Sequence, residues 1–428
     1  DRICASRRAR LRSSRRTVSC RRLFLVSPFY FVKTHKQIAI NGLFGKLFLL
    51  QVPRQVLIVP DKFKGSLPAR EAAGAIARGW AAACPADTLS LLPMSDGGDG
   101  FGSVMAEALG LEERLFDGMD AAGQSRQAAW WLDAKSGQAV VETAQSNGLA
   151  LLPRGRFHPF DLDTRGVGAL LLAAGQAGAT QCLAGIGGSA TNDGGFGMAQ
   201  SLGWVFRDES GREIEQWTWL DSLAAIESPA SRAWPSVTVA SDVQNPLLGI
   251  DGATRVYGPQ KGMRPGDFAK AEACLGRLAK VAAETLETDF SVTPGAGAAG
   301  GLGFGLMAFA GAAIEPGFEV FANATGLERK VAEADFVVTA EGAIDEQTLM
   351  GKGTGQVAAL CRRLGKPCIG LAGQLAFGQA EVDPEERQFW RMAAMVPNLA
   401  SESEAMADAA THLERLAKRE GRFSISGI

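Results

Sequence analysis

The stretch Gln55-Val-Leu-Ile-Val-Pro-Asp-Lys-Phe-Lys-Gly-Ser66 decides the fold. Its first six residues are a continuous apolar run rich in β-branched side chains. A run without polar alternation predicts a strand buried on both faces, as in parallel sheets. The polar turn Asp61–Ser66 leads into a helix predicted over 68–84. Pro68 suits its first turn, and Ala72, Ala73, Ile76 and Trp80 share one face. The same order then repeats: a strand over 89–94, a turn over 95–100 and a helix over 101–109. Strand, turn and helix in succession are the signature of βαβ units.

Outward from there the texture changes near Asp117. Short strand-like runs over 128–133 and 138–143 flank a Lys135-Ser-Gly turn and predict a hairpin, hence a mixed sheet. A helix over 166–177, strands over 179–186 and 235–240, and an amphipathic helix over 268–285 follow. Parallel texture returns after Pro294, with helices over 301–312 and 353–364 and strands over 334–339, 367–371 and 391–396. Ser401 and Glu404 form a capping box for the last helix, whose apolar face carries Met406, Ala410, Leu413 and Leu416. The expected fold is α/β. One open domain is built from 54–118 and 295–428, and a mixed α/β domain, 119–294, is inserted in it.

The chain has 428 residues, 46% apolar, with 52 Gly and a net charge of −2. That length points to two or three domains with a sizeable core. The composition excludes a disordered chain, a collagen and a coiled coil. No apolar run reaches the ~18 residues of a membrane span. Near-zero net charge argues against a dedicated nucleic-acid binder. Charge is unevenly spread: residues 1–52 hold nine Arg and three Lys against Asp1, or +11, which leaves −13 on residues 53–428. The basic head, 1–53, is expected outside the fold, as upstream sequence translated by mistake; an organellar transit peptide and a basic arm are the other readings. The seven Cys stand singly and predict no disulfide framework. The three His are too few for a His-based metal site or a Ser-His-Asp triad.

Chemistry is expected in the loops, because ligands of open α/β sheets bind at the carboxyl ends of strands. In Asp61–Ser66, Asp61 can hold a metal or a hydroxyl and Lys64 a phosphate. Ser95-Asp-Gly-Gly-Asp-Gly100 places Asp96 among bare backbone. Gly185-Ile-Gly-Gly-Ser-Ala-Thr-Asn-Asp-Gly-Gly195 is the most informative loop: Gly187 and Gly188 allow close approach of an anion, Ser189, Thr191 and Asn192 add donors, and Asp193 adds a carboxylate. Asp242 follows the strand over 235–240, and Lys261 lies in a Gly/Pro turn. Gly295-Ala-Gly-Ala-Ala-Gly300, with Gly297 and Gly300, reads as a glycine-rich helix start for an anion, with close packing as the plain reading. Glu341 and Asp345 suit Mg²⁺, which takes carboxylates together with substrate phosphates. Gly351-Lys-Gly353 is not a Walker A motif. Cations, backbone N–H groups and carboxylates are the parts phosphoryl transfer uses.

Taken in order, Pro60–Ser66, Ser95–Gly100, Gly185–Gly195, Ser241–Pro246, Gly258–Gly262, Gly295–Gly301 and Glu341–Asp345 resemble the motifs of the type 1 glycerate kinase family, the bacterial glycerate 2-kinases. The resemblance covers about residues 55–420. It implies a flavodoxin-like (Rossmann-like) three-layer domain interrupted by a second α/β domain, with the site in the cleft between them. It implies ATP-dependent phosphorylation of D-glycerate to 2-phosphoglycerate with Mg²⁺. On the matching positions we expect Asp193 to orient the glycerate hydroxyl, with Asp242 as the alternative. Lys64 and Lys261 are expected on carboxylate or phosphate, and Glu341 and Asp345 on Mg²⁺. Three positions depart from the family: Lys62 stands where Ser is usual, and Ala340 and Ala343 flank Glu341-Gly342 where Gly-Glu-Gly-Arg is usual. Expected partners are small molecules only, with no nucleic acid and no membrane, in a monomer or homodimer. The expected location is the cytoplasm, or an organelle if the head is a transit peptide. Two other functions are kept: an NAD(P)-dependent hydroxy-acid dehydrogenase, resting on Gly295–Gly300, and a degenerate glycerate-binding protein, resting on Ala343.

Overall fold

The computed structural model describes residues 53–350, 353–376 and 388–426. Most of the basic head, and residues 351–352, lie outside them. Thirteen strands are found among the described residues: β1 (Gln55–Pro60), β2 (Thr88–Leu91), β3 (Glu112–Met119), β4 (Ser125–Asp133), β5 (Gln138–Glu142), β6 (Gln181–Gly185), β7 (Val205–Asp208), β8 (Leu223–Glu227), β9 (Ser236–Ala240), β10 (Ala313–Glu315), β11 (Phe336–Asp345), β12 (Cys368–Ala376) and β13 (Arg391–Ala394). They form a five-stranded sheet, β13-β12-β11-β1-β2, a six-stranded sheet, β10-β9-β6-β5-β4-β3, and the small hairpin β7-β8. Both larger sheets lie in one compact unit, Val52–Ile428.

The five-stranded sheet is parallel throughout. Its burial explains the unbroken apolar run of β1. Val56 and Ile58 face one core with Trp80 of the helix Ala69–Ala83 and Leu413 and Leu416 of the helix Ala409–Ser426. Leu57 and Val59 face another core, with Phe101, Phe321 and Val357 of three further helices. Each side chain so buried contributes about 1.5–3 kcal/mol. This is a three-layer α/β arrangement.

The six-stranded sheet is mixed: β10, β9, β6 and β5 run parallel, while β4 and β3 add an antiparallel hairpin. Its strands reach further than 119–294, since β3 begins before that range and β10 lies after it. One face shares the core of Phe101 through Trp131 and Val140. The other faces a core shared with the helices Arg165–Gln176, Phe268–Leu286 and Ala298–Ala310. Among the described residues no helix is long and apolar enough to cross a membrane.

Candidate active site

The carboxyl ends of β1, β2, β6, β9 and β11 meet, and glycines allow the meeting. A Cβ at Gly97 would lie 2.1 Å from the Ala240 carbonyl oxygen at the end of β9, and one at Gly187, after β6, 2.7 Å from Gly98 Cα. Gly187 also donates its N–H to the Gly97 carbonyl at 3.2 Å. Segment 95–100 is therefore wedged between the ends of β6 and β9. Gly317 closes the other side: its N–H donates to Asp242 Oδ1 at 2.8 Å, and a Cβ there would lie 2.0 Å from the Asp96 carbonyl oxygen.

This packing gathers Asp61, Lys62, Asp96, Asp242 and Glu341. Lys62 Nζ lies 3.3 Å from Asp96 Oδ1, and the Lys62 N–H donates to Asp61 Oδ1 at 2.7 Å. Burial pushes Asp61 up to about 6; the charge of Asp96 and, more weakly, Asp242 adds to the rise, while Lys62 opposes it. Burial alone would lower the Lys62 ammonium, but Asp96 and Asp61 outweigh it and hold the group above the usual lysine value. Glu341 is pushed up to about 7, first by burial and then by Asp61 and Asp345, against the pull of the Thr354 and Thr348 hydroxyls. Desolvation and like charge are the ordinary causes of such rises. Carboxylates that resist ionisation side by side are poised to receive a cation or a proton.

The other expected residues fall in different places. Asp193, expected to orient the substrate hydroxyl, has 0% exposure. Its carboxylate accepts from Thr164 N–H (2.9 Å), Thr164 Oγ1 (2.8 Å), Gly195 N–H (3.1 Å) and Gly197 N–H (3.0 Å). These bonds turn it into the loop and hold the loop together; the glycine-rich composition shows a carboxylate but not its direction. Thr191 and Asn192 are equally buried, and the Asn192 amide donates to Thr254 Oγ1 at 3.0 Å. Buried Lys261 donates to Ser189 Oγ at 3.0 Å and to the Thr191 carbonyl at 2.6 Å, tying the loop from inside. Burial pushes it down to about 7, with Asp193 opposing. Gly188 stays exposed, with φ of 74°, beside Asp99.

Gly297 and Gly300 serve close packing. A Cβ at Gly297 would lie 2.3 Å from the Pro246 carbonyl oxygen, and one at Gly300 1.9 Å from that of Thr191. Ala299, Gly300 and Gly301 all have positive φ and kink the chain before the regular part of its helix. This is not the strand-turn-helix that a dinucleotide fingerprint requires, and it removes the support for a dehydrogenase. Lys64 is exposed beside Gly342. Asp345 caps the helix Glu346–Leu349, accepting from Thr348 N–H at 3.0 Å. Glu341 Oε1 accepts from Thr348 Oγ1 at 3.0 Å and from Thr354 Oγ1. The pair expected on Mg²⁺ is thus engaged at a helix start, and no group of three His, Cys, Asp or Glu side chains among the described residues is arranged to hold a metal ion.

Two participants escaped the sequence reading. Lys62 was legible only as a departure from a family pattern. Glu142, at the end of β5, accepts from Gly100 N–H and Gly102 N–H, both at 3.0 Å, and so fills the start of the helix Phe101–Leu109. Nothing in its local sequence marks it, because its partners lie some forty residues away.

A three-layer α/β fold with acidic and cationic groups at its strand ends defines a class of phosphate-handling enzyme. Comparison with known proteins narrows the class. The family model described as the glycerate kinase family matches residues 56–424. The glycerate kinase of Halalkalibacterium halodurans is 39% identical over 369 residues, covering 85% of this chain and 96% of that protein. The glycerate 2-kinase of Escherichia coli is 38% identical over 326 residues, covering 75% and 85%. A crystal structure described as a glycerate kinase 2 of Salmonella typhimurium LT2 superposes with a TM-score of 0.76 at 34% identity, covering 88% of this chain and 99% of that one. The chain belongs to the glycerate kinase family, and it is a kinase.

Proposed function

We propose that the chain transfers the terminal phosphoryl group of ATP to the 2-hydroxyl of D-glycerate, giving 2-phosphoglycerate and ADP with Mg²⁺ as cofactor. Asp61 carries this reading. It stands at the end of a central strand among Asp96, Asp242 and Glu341, and its carboxyl is pushed up to about 6. A hydroxyl must lose its proton as the new P–O bond forms, and a base is most effective when its pKa lies near the working pH. The rest of the reaction is positioning and charge stabilisation, which strand-end glycines and cations supply. The names of the Escherichia coli and Halalkalibacterium halodurans relatives support the acceptor.

Mg²⁺ is a hard cation that binds one or two carboxylates together with substrate phosphates, without an all-protein cage. Asp96 and exposed Asp242 are the carboxylates that fit this use, since Glu341 and Asp345 are engaged by threonines. When bound, Mg²⁺ neutralises charge on the phosphates. Asp61 accepts the hydroxyl proton, Gly97 and Gly187 hold the loops in contact, and Gly317 steadies Asp242.

The full chain incubated with ATP, Mg²⁺ and D-glycerate should release ADP only when D-glycerate is present. Phosphorus NMR should show the ester on carbon 2. ADP release indifferent to D-glycerate would sink the proposal, and an ester on carbon 3 alone would overturn the stated product.

A further inference from the structure

We infer that Lys62 binds the carboxylate of the acceptor and thereby selects the hydroxyl on the adjacent carbon. The inference rests on the kinase reading above and deepens it. Asp61 and Lys62 are consecutive residues, the Lys62 backbone N–H donates to Asp61 Oδ1 at 2.7 Å and so turns the carboxylate toward Lys62, and the Asp61 charge acts on the Lys62 ammonium. A 2-hydroxy acid carries its hydroxyl and carboxylate on neighbouring carbons. A site for it needs a proton acceptor and a cation side by side, as Asp61 and Lys62 are. The 3-hydroxyl is one carbon further from the carboxylate and does not meet Asp61 while the carboxylate sits on Lys62.

Room and access are provided. Gly98 leaves space for the ammonium, because a Cβ there would lie 2.7 Å from Nζ. In the free protein Asp96 neutralises the ammonium at 3.3 Å, with the two side chains 27% and 41% exposed. Ion pairs so open to water are worth about 0–1 kcal/mol, so an incoming carboxylate exchanges for Asp96 at little cost. The exchange also frees Asp96 for the cation that accompanies ATP. In the free protein Asp96 therefore does for Lys62 what the substrate carboxylate later does: it matches the charge of the ammonium.

The test uses the full chain with Lys62→Met, Lys62→Gln and Lys62→Arg, each checked for native circular dichroism. Loss of a hydrogen bond to a charged group predicts a rise of about 10- to 100-fold in KM for D-glycerate in the Met and Gln variants. KM for ATP should stay within about twofold, as expected for a group that touches only the acceptor. Phosphorus NMR should show some ester on carbon 3. Calorimetric binding of D-glycerate without nucleotide should weaken by the same factor, and Arg should restore most of the loss. Unchanged KM for D-glycerate, or an equal rise in KM for ATP, would overturn the role of Lys62 while leaving the kinase reading standing. Failure of the unaltered chain to turn over D-glycerate would overturn both.

Discussion

Glu142 accepts a hydrogen bond from the Gly102 N–H at 3.0 Å, and a second from Gly100, so a carboxylate at the end of β5 caps the helix that follows the 95–100 loop. The six-stranded sheet thus holds the start of a helix whose Phe101, Met105 and Ala106 share a core with Leu57 and Val59 of the five-stranded one. Glu142 is 6% exposed. Glu142→Ala leaves the buried Gly102 N–H and the half-buried Gly100 N–H without an acceptor. That should lower stability by about 1–3 kcal/mol, read from the urea midpoint. Glu142→Gln keeps an acceptor oxygen and should lose less. Equal losses in the two variants would mean that the carboxylate is not acting as a cap.

Asp61 should set the acid limb of the activity profile. A base works deprotonated, so kcat/KM for D-glycerate should fall as pH drops through about 6, the value to which burial and Asp96 push this carboxyl. Asp61→Asn keeps the shape and removes the base, and should cost roughly 100- to 10,000-fold in kcat. A profile flat down to pH 5, or an Asn variant near full activity, would assign the proton to another group.

The fold was legible where one residue type met one environment. Both ends of β1 can be read from Gln55–Pro60, because a strand covered on both faces needs an unbroken apolar run. β3 escaped because it is an edge strand: Glu112, Glu113, Arg114 and Asp117 lie on its largely exposed surface and look like a loop. β11 and β12 run beyond their apolar stretches, so Glu341 lies within a strand although Glu-Gly reads as a turn; pairing of Ala343 with Gln374 carries the ladder on. In the site, sequence named the right kinds of residue but not their depth. Asp61 opens one glycine-containing loop after a strand and Asp193 lies within another, yet one sits among the strand-end carboxylates and the other is sealed by Thr164. Only the packing of segments far apart in the chain separates them.

Asp193 should accordingly behave as a structural residue. Thr164 Oγ1 donates to it at 2.8 Å while accepting from the Met198 N–H at 2.9 Å, so one hydroxyl links the loop to the next helix. Thr164→Val keeps the shape and removes the link. It should cost about 1–3 kcal/mol in unfolding free energy with KM for both substrates within about twofold. A large rise in KM at unchanged stability would return Asp193 to the site.

Lys261 predicts a distinctive pH dependence of stability. Its ordinary value is 10.5, and burial pushes it down to about 7 in the folded chain. Between those values the unfolded chain binds more protons than the folded one, so this residue's contribution to stability improves as pH rises from about 7 towards 10.5. Lys261→Met removes that contribution. The stability difference between the unaltered chain and the variant, from urea midpoints at pH 7 and pH 9, should therefore shift in favour of the unaltered chain at pH 9. An opposite shift would mean that the ammonium is stabilised in place by Ser189 and the Thr191 carbonyl.

Gly317 sets helix propensity against packing. Alanine is favoured over glycine within a helix by about 1 kcal/mol, so Gly317→Ala at the start of the helix Gly317–Thr325 would stabilise an isolated helix. Here the added Cβ would lie 2.0 Å from the Asp96 carbonyl oxygen and 2.5 Å from its carbon, and neither is a flexible side-chain end. Backbone must move, and it carries Asp96 with its ion pair to Lys62, while the Gly317 N–H shifts away from Asp242. A displacement of that order in a phosphoryl-transfer site should lower kcat/KM about 100-fold. Gly266→Ala is the control, since nothing lies within 4 Å of its Cβ position, and it should be silent. Equal activity in the two variants would show that the 95–100 loop tolerates movement, and that Asp96 is not held in register by this contact.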